Sequence, residues 1–487
     1  MIKKNLVLAS AIAAATSASV QAACPAGTQA PSASIIGNPA FEECAIISPV
    51  TSNLTLTADR LWVLEGKTEV GIDGGLDGTS GTSATLTIEA GAIIVGDDST
   101  VNANTSFTGD DGVVVNTPAP DYLIITRGSK ISANGTAAAP ITMTSKQGLL
   151  GSGDSGQWGG LYINGYGLNN GCKDAYAPSA PTGTCERSGE AATGTHGGGD
   201  NTDDSGNLDY VTVAYAGGVY SPESDLNGIA FQSVGSGTTV NNIQVHANVD
   251  DGVEFYGGAV SVNNVVLTDN GDDSFDTTEG WQGTANNVLI YQSDGSGSDR
   301  AFESDNNKKA VNNASLPLTN GTVSNVTIIS GDNTADLLKI RRGSALNLVD
   351  VAIYNTAGTC FNIDDGDGNG NAAEAGLVNV SYDCSVVTDK QAAIDWMATA
   401  GNSTTAYLSS FNGYINGYWE NEAGVGAVTS CANDWTAPAG NSWVVAGTLP
   451  AADCTGEGVN VPVMGWAGLA ALFAGLVGIT RMSRRIK

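Results

Sequence analysis

Asn242-Ile243-Gln244-Val245, Asn264-Val265-Val266-Leu267, Asn287-Val288-Leu289-Ile290, Asn325-Val326-Thr327-Ile328 and Asp350-Val351-Ala352-Ile353 are one short unit used five times, at spacings of 22, 23, 38 and 25 residues. One β-rich run per period of this length is the signature of a solenoid. Side chains alternate across a strand, so the first and third apolar residues of each run share a face. Those residues are Ile243 and Val245, Val265 and Leu267, Val288 and Ile290, Val326 and Ile328, Val351 and Ile353, all aliphatic. The middle residues (Gln244, Val266, Leu289, Thr327, Ala352) vary in polarity. One face is therefore buried in every repeat, and the other faces outward or into a groove. Stacked coils pair equivalent strands in parallel, about 4.8 Å apart. Asn242, Asn264, Asn287 and Asn325, each just ahead of its run, then line up as a structural amide ladder.

The same stacking aligns the residues after each run. Asp250-Asp251-Gly252-Val253-Glu254 in one coil matches Asp272-Asp273-Ser274-Phe275-Asp276 in the next, and Asp299 and Glu303 continue the column. Like charges one strand spacing apart are unfavourable unless protonated, solvated or bridged by a cation. Three readings fit: a Ca2+ cluster on Asp250, Asp251, Glu254, Asp272, Asp273 and Asp276, since Ca2+ takes several oxygen ligands; solvated acidic turns; or a catalytic carboxylate pair. A second Ca2+ candidate is Asp365-Gly366-Asp367-Gly368-Asn369-Gly370, whose Asp365, Asp367 and Asn369 alternate like the first half of an EF-hand loop. Its twelfth position is Gly376 rather than Glu, which favours the other reading, an Asn/Asp/Gly turn between coils.

Upstream, Leu86–Ile94 and Tyr122–Ile131 each read as two short strands broken at a glycine, and Leu54–Leu56 and Leu61–Leu64 as isolated strands. The phrases ITRGSKISANGTAAAPITMTS (125–145), GQWGGLYING (156–165), DDGVEFYGG and GDDSFDTTEG (within 209–306) resemble bacterial secreted right-handed parallel β-helix proteins over roughly residues 86–385. The resemblance implies an all-β, right-handed parallel β-helix with irregular caps, and it implies no particular reaction. The expected organisation is a signal peptide at 1–22, an N-terminal cap at 23–85 and the β-helix at 86–385 with a disulfide-tied insertion at 166–207. A C-terminal cap and linker at 386–460, with one amphipathic helix at 389–400, and a membrane tail at 461–487 complete it. A second insertion at 306–318 accounts for the 38-residue spacing.

The ends speak of address. Lys3 and Lys4, an apolar run and Val20-Gln21-Ala22 make a secretory signal, with the mature chain starting at Ala23. Residues 461–480 carry no charge and are long enough to span a bilayer, and Arg481, Arg484, Arg485 and Lys487 come directly after them. This tail resembles the three-part C-terminal sorting tails of Gram-negative exported proteins, which implies a membrane protease as partner; a lasting anchor is the alternative. Setting aside the basic residues of both ends leaves 14 basic against 50 acidic residues, a body near −36. Such a body repels nucleic acid, so that class of partner is excluded. Eight cysteines in an exported chain read as disulfides. Neighbour pairing gives Cys24 with Cys44, Cys172 with Cys185, Cys360 with Cys384 and Cys431 with Cys454, each closing a short loop. With only His196 and His246 and no CxxC, a zinc site is not expected.

Enzyme signatures are fragmentary. Asn201-Thr202-Asp203, Asp272-Asp273 and Lys339-Ile340-Arg341 are reminiscent of polygalacturonase-like motifs, but the His-Gly element between the last two is missing and His196-Gly197 lies elsewhere. Lyases of this fold use Ca2+ and an Arg or Lys base, for which Arg300, Arg341 and Arg342 are candidates without a selecting motif. The expectation is an exported cell-surface β-helix protein with a structural, adhesive or matrix-contact role, stabilised by Ca2+. The alternatives are a calcium-dependent lyase or glycoside hydrolase on acidic polysaccharide, and a glycan-binding module without turnover. An extracellular polysaccharide or envelope component is the expected partner.

Overall fold

The computed structural model describes residues 23–37, 42–97, 105–108, 114–117, 120–171, 185–218, 220, 225–307, 314–331, 335–363, 376–386, 404–406, 425–428, 434–437 and 442–450. The signal peptide expected at 1–22, Cys172, the loop with Asp365, Asp367 and Asn369, the helix expected at 389–400, Cys431, Cys454 and the tail expected at 461–487 lie outside the described residues. Among those described, no helix is long and apolar enough to cross a membrane.

The repeat unit is a bent strand. Thr239–His246, Ser261–Thr268, Thr284–Gln292, Thr322–Ser330 and the first part of Asn347–Ile363 lie in parallel, one coil on the next. The register runs Ile243–Val265–Val288–Val326–Val351 and continues to Val380. Every member of that file is buried in one cluster extending from Cys44 to Tyr382. The expected interior file is thus a continuous wall, which we call the first sheet. The opening residues of the same strands form the second, with Val240–Val262–Ala285–Val323–Leu348 in line. The third sheet carries Ile229–Val253–Phe275–Phe302–Leu338–Phe361. In an adjacent file Phe231 stacks on Phe255 with ring centroids 5.0 Å apart. Three sheets around one apolar column make a parallel β-helix.

The corner between the second and first sheets is where the repeated asparagine acts. Asn242, Asn264, Asn287, Asn325, Asp350 and Asn379 all have φ between 51° and 57°. That left-handed conformation is costly for most residues and tolerated by Asn and Asp, whose short side chains bond locally. Asn264 Nδ2 donates to Asn242 Oδ1 (2.9 Å) and Asn287 Nδ2 to Asn264 Oδ1 (2.8 Å). Asn325 donates to Asn286 Oδ1 (2.8 Å) in place of Asn287. Asp350 has no donor to pass on, and Asn379 resumes the ladder by donating to it.

Two boundaries differ from the sequence reading. The β-helix begins well before residue 86: Glu43–Ile46, Leu61–Val63 and Ile93–Gly96 already pair in parallel, as do Leu54–Leu56 with Thr85–Ile88 and Lys67–Val70 with Tyr122–Ile125. These early strands are three or four residues long and lack the corner asparagine, so no period betrays them. Only Thr28–Gln29 adds an antiparallel edge at that end. The second difference is at 425–450. Its described parts do not lie over the end of the coil but run back along the outer flank of the first sheet. Ala427 N donates to Thr327 Oγ1 (2.9 Å) and Val445 N to Gln244 Oε1 (2.7 Å), three coils earlier. Trp443, 1% exposed, packs with Val266, Leu289 and Ile329. The varied middle residues of the repeat are thus a second apolar face, covered by the chain's own C-terminal strap. Cys24–Cys44 and Cys360–Cys384 are disulfides as expected, and Cys185 is disulfide-bonded too.

Candidate functional site

Residues Val253–Tyr256 and Asp273–Thr278 are successive strands of the third sheet. Val253 and Phe255 point into the core, so Glu254 between them points out. Register then places Asp276 on Glu254, Glu303 on Asp276 and Lys339 on Glu303. At the entrance to the same strands Asp273 N donates to Asp251 Oδ1 (3.0 Å). The alignment expected from the sequence therefore holds, and the six carboxylates of the first Ca2+ candidate are spread over three overlapping groups along the column. Three groups each bring ligand oxygens within 4.8 Å of one another: Asp250, Asp251 and Asp272; Asp251, Glu254 and Asp276; Asp272, Asp273 and Asp299.

The column is deep on one side and open on the other. Asp251, Glu254 and Asp273 are buried, whereas Asp272 is exposed. Burial, then the neighbouring carboxylates, pushes Asp251, Glu254, Asp273 and Asp276 well above the usual carboxylate range. Asp250 is pushed up to about 7 by burial and then by Asp272, Asp225 and Glu190. Asn227 Nδ2 donates to Glu254 Oε2 (2.6 Å). Asp273 Oδ1 and Asp276 Oδ1 are buried and accept no hydrogen bond. Arg300 lies 3.6 Å from that Asp273 oxygen.

The three arginines are ion-paired along the column, Arg300 to Asp273 and, at 4.0 Å, to Asp272 among others. Arg300 pairs with Glu303 (3.3 Å) and Asp299, Arg341 with Asp305 (2.8 Å) and Glu303, and Arg342 with Asp305. Burial alone would lower the Arg300 and Arg341 guanidinium pKa, but the carboxylates outweigh it and both stay above the ordinary range. Neither is poised to lose a proton.

The motif fragments separate. Asp272-Asp273 and Lys339-Ile340-Arg341 both lie at the third sheet, with Ile340 turned into the core. Asn201-Thr202-Asp203 does not join them: Asp203 Oδ2 accepts from Tyr166 N (3.2 Å) and Ser205 Oγ (3.2 Å), holding a turn. His196 is buried with Nδ1 2.8 Å from Ser233 Oγ, and burial, then Arg187 and Arg127, lowers its pKa to about 3. It is a neutral tie between the insertion and the sheet.

Glu190 and Asp225 escaped the sequence reading. Both act on Asp250, yet Glu190 sits on the first insertion and Asp225 in the connection leading to Ile229–Gln232, neither with a periodic partner, so no repeat signals them. Around them Ala191, from the first insertion, and Leu226 pack with Tyr122, Ile124, Tyr162, Ala230 and Tyr256 on the outer face of the third sheet. Asn170 links the first insertion to the second through Asn306 O (3.0 Å) and Pro317 O (2.9 Å).

A parallel solenoid with an acidic file on one outer sheet defines the class of the molecule. Residues 49–437 match the model of the pectate-lyase like beta helix domain, and the chain belongs to that family. No curated protein matches it in sequence. Two solved structures show a distant likeness. One is the catalytic domain of a GH87 alpha-1,3-glucanase in complex with nigerose: 9% identity, 77% of this chain and 69% of that chain covered, TM-score 0.23. The other is the same domain with tetrasaccharides: 10% identity, the same coverage, TM-score 0.19. A likeness this distant adds nothing to the reading of the site.

Proposed function

We propose that this is an exported, non-enzymatic β-helix scaffold of the cell surface whose acidic column holds Ca2+. The observation that carries the reading is the alignment of Asp250, Asp251, Glu254, Asp272, Asp273 and Asp276 in overlapping groups, with two buried carboxylate oxygens lacking a hydrogen bond. A donor set made only of oxygens suits a hard cation. Asp251, Glu254 and Asp276 would hold it, and its charge would offset a repulsion that the fold otherwise leaves in place. The ion-paired state of Arg300 and Arg341 speaks against a lyase, which needs a deprotonated base in reach of a sugar ring. The disulfides support export, and the tail at 461–487 would serve as a sorting or anchoring signal read by a membrane protease. The partner would be an extracellular polysaccharide or another envelope component.

A second reading has one observation in its favour. Asp250, at about 7, stands beside the exposed Asp272. A carboxyl group raised by burial beside a more exposed one is an arrangement from which a glycoside hydrolase draws its acid and base. Incubation with a panel of acidic polysaccharides separates the two. The scaffold reading expects no new reducing or unsaturated ends; release that vanishes in Asp250→Asn and Asp272→Asn would establish the hydrolase. Binding without release would assign a glycan-binding module. For the cation, melting in calcium should exceed melting in chelator, and equal Tm values at neutral pH would remove Ca2+ from the site.

A further inference from the structure

A directed chain of hydrogen bonds ties the C-terminal strap to the first sheet, and its last member is a histidine. Val445 N donates to Gln244 Oε1 (2.7 Å), and a backbone N–H can only donate, so the orientation of the Gln244 amide is fixed. Gln244 Nε2 then has two hydrogens to place. One goes to Thr448 Oγ1 (2.9 Å), whose own hydrogen goes to Val445 O (2.8 Å). The other goes to Thr268 Oγ1 (3.3 Å). A hydroxyl has a single hydrogen, and that of Thr268 is received by His246 Nδ1, 2.9 Å away. Nδ1 is therefore the bare nitrogen of a neutral ring, and Nε2 carries the proton. Gln244, Thr268, Val445 and Thr448 are all buried, so a broken link leaves a polar group unpaired at a cost.

The strap also packs around the ring. Val445 joins Ala214, Tyr215 and Ala247 in one apolar cluster. Ala214 is the partner of His246 on the preceding coil, and Tyr215 stands edge-on to the imidazole at 5.4 Å. The titratable groups about it are few. Asp269 follows Thr268, and its Oδ1 accepts from Ser293 N (2.8 Å). Tyr291 pairs with Thr268 one coil on. Gln157 binds Tyr215 O through its own N–H (3.0 Å) and Asp154 N through its side chain (3.0 Å). Strap residues 442–450 carry no ionisable side chain. A proton on Nδ1 turns the acceptor into a donor. Thr268 Oγ1 then meets two donors, and its own buried hydrogen loses its acceptor. We propose that His246 is a proton-sensitive latch: its protonation severs the chain and releases residues 442–450 from the first sheet, uncovering Val266 and Leu289. Burial lowers the His246 pKa, with Asp269 and Thr268 opposing it. A group whose pKa is lower with the strap closed than open favours closure above about pH 6.5 and stops doing so as pH falls. The acidic column responds in the opposite sense, so acid loosens one outer face while it secures the other.

The chain has only two histidines, so selective nitrogen-15 histidine labelling of the purified full-length protein reads the ring directly. At pH 7 the His246 signals should show a bare Nδ1 and a protonated Nε2; a protonated Nδ1 would overturn the chain of bonds. Hydrogen exchange of segment 442–450, corrected for the intrinsic pH dependence of exchange, reads the strap. From pH 7 to pH 4.5 it should accelerate by about fivefold to tenfold in the wild type, the worth of one buried hydrogen bond. His246→Gln offers Thr268 an acceptor that takes up no proton, and its strap should stay closed at both values. No acceleration in the wild type, or the same acceleration in His246→Gln, would overturn the latch.

Discussion

The outer faces of the first and third sheets are built by the same rule and end in opposite states. On the first sheet, stacking sets Gln244, Val266, Leu289, Thr327 and Ala352 in a file, and the chain covers them with its own strap. On the third, it sets Glu254, Asp276 and Glu303 in a file, of which Glu303 meets Arg300 and Arg341 while burial and mutual repulsion push Glu254 and Asp276 towards their neutral forms. A solenoid multiplies whatever residue occupies a position. Apolar groups and amides gain from meeting their like, because amides carry both donor and acceptor. Carboxylates have acceptors only and lose. One face is finished by burial, the other by arginines and by protons that depend on pH.

The sharpest way to break this contrast is pH. In chelator the acidic face should weaken as pH rises, because Asp250 and its neighbours have folded-state pKa values above their unfolded ones. The stabilisation is complete below about pH 4 and is lost as pH climbs through about 7, the value for Asp250. By linkage that one group contributes on the order of 4 kcal/mol. Urea unfolding at pH 5 and pH 8 should show the loss, and calcium should reverse it. An apo protein equally stable at both values would erase the distinction between the faces.

Next in size is the strap. Trp443→Ala removes the buried indole that stands edge-on to Tyr210 at 5.8 Å. It should cost about 3 kcal/mol, read as faster hydrogen exchange in 425–450 while the third sheet is unchanged. Asn264→Ala should cost about 2 kcal/mol, from two lost side-chain hydrogen bonds and a left-handed Cβ. Asn264→Gly, which keeps only the first loss, should recover part of it in the same denaturant titration. Smallest is Gln244→Ala. It leaves Val445 N without its acceptor and Thr448 Oγ1 without its donor, and should loosen the strap by about 1–2 kcal/mol without moving calcium affinity.

Repetition decided how much of the structure was legible in the sequence. Ile243, Val265 and Val288 recur at one period, so their common wall was readable, and so was the pairing of Asp250-Asp251 with Asp272-Asp273. The early coils were not, because Leu61–Val63 and Lys67–Val70 are too short and too unevenly spaced to show a period. The strap was invisible for a different reason. Trp443 and Val445 contact Tyr210 and Gln244 some two hundred residues away, and nothing local in 425–450 points to them. Glu190 and Asp225 fall between these cases: their charge was visible, but their place depends on how two aperiodic loops cross the sheet.

The amide ladder has a direction. Asn242 donates to Asp209, Asn264 to Asn242, Asn287 to Asn264 and Asn379 to Asp350, always from the later coil to the earlier. At these rungs the earlier coil presents an oxygen, and the asparagine of the next turn brings the hydrogen that fills it. A chain delivered amino end first can zip up one rung at a time without backtracking, with the strap arriving last to close the seam.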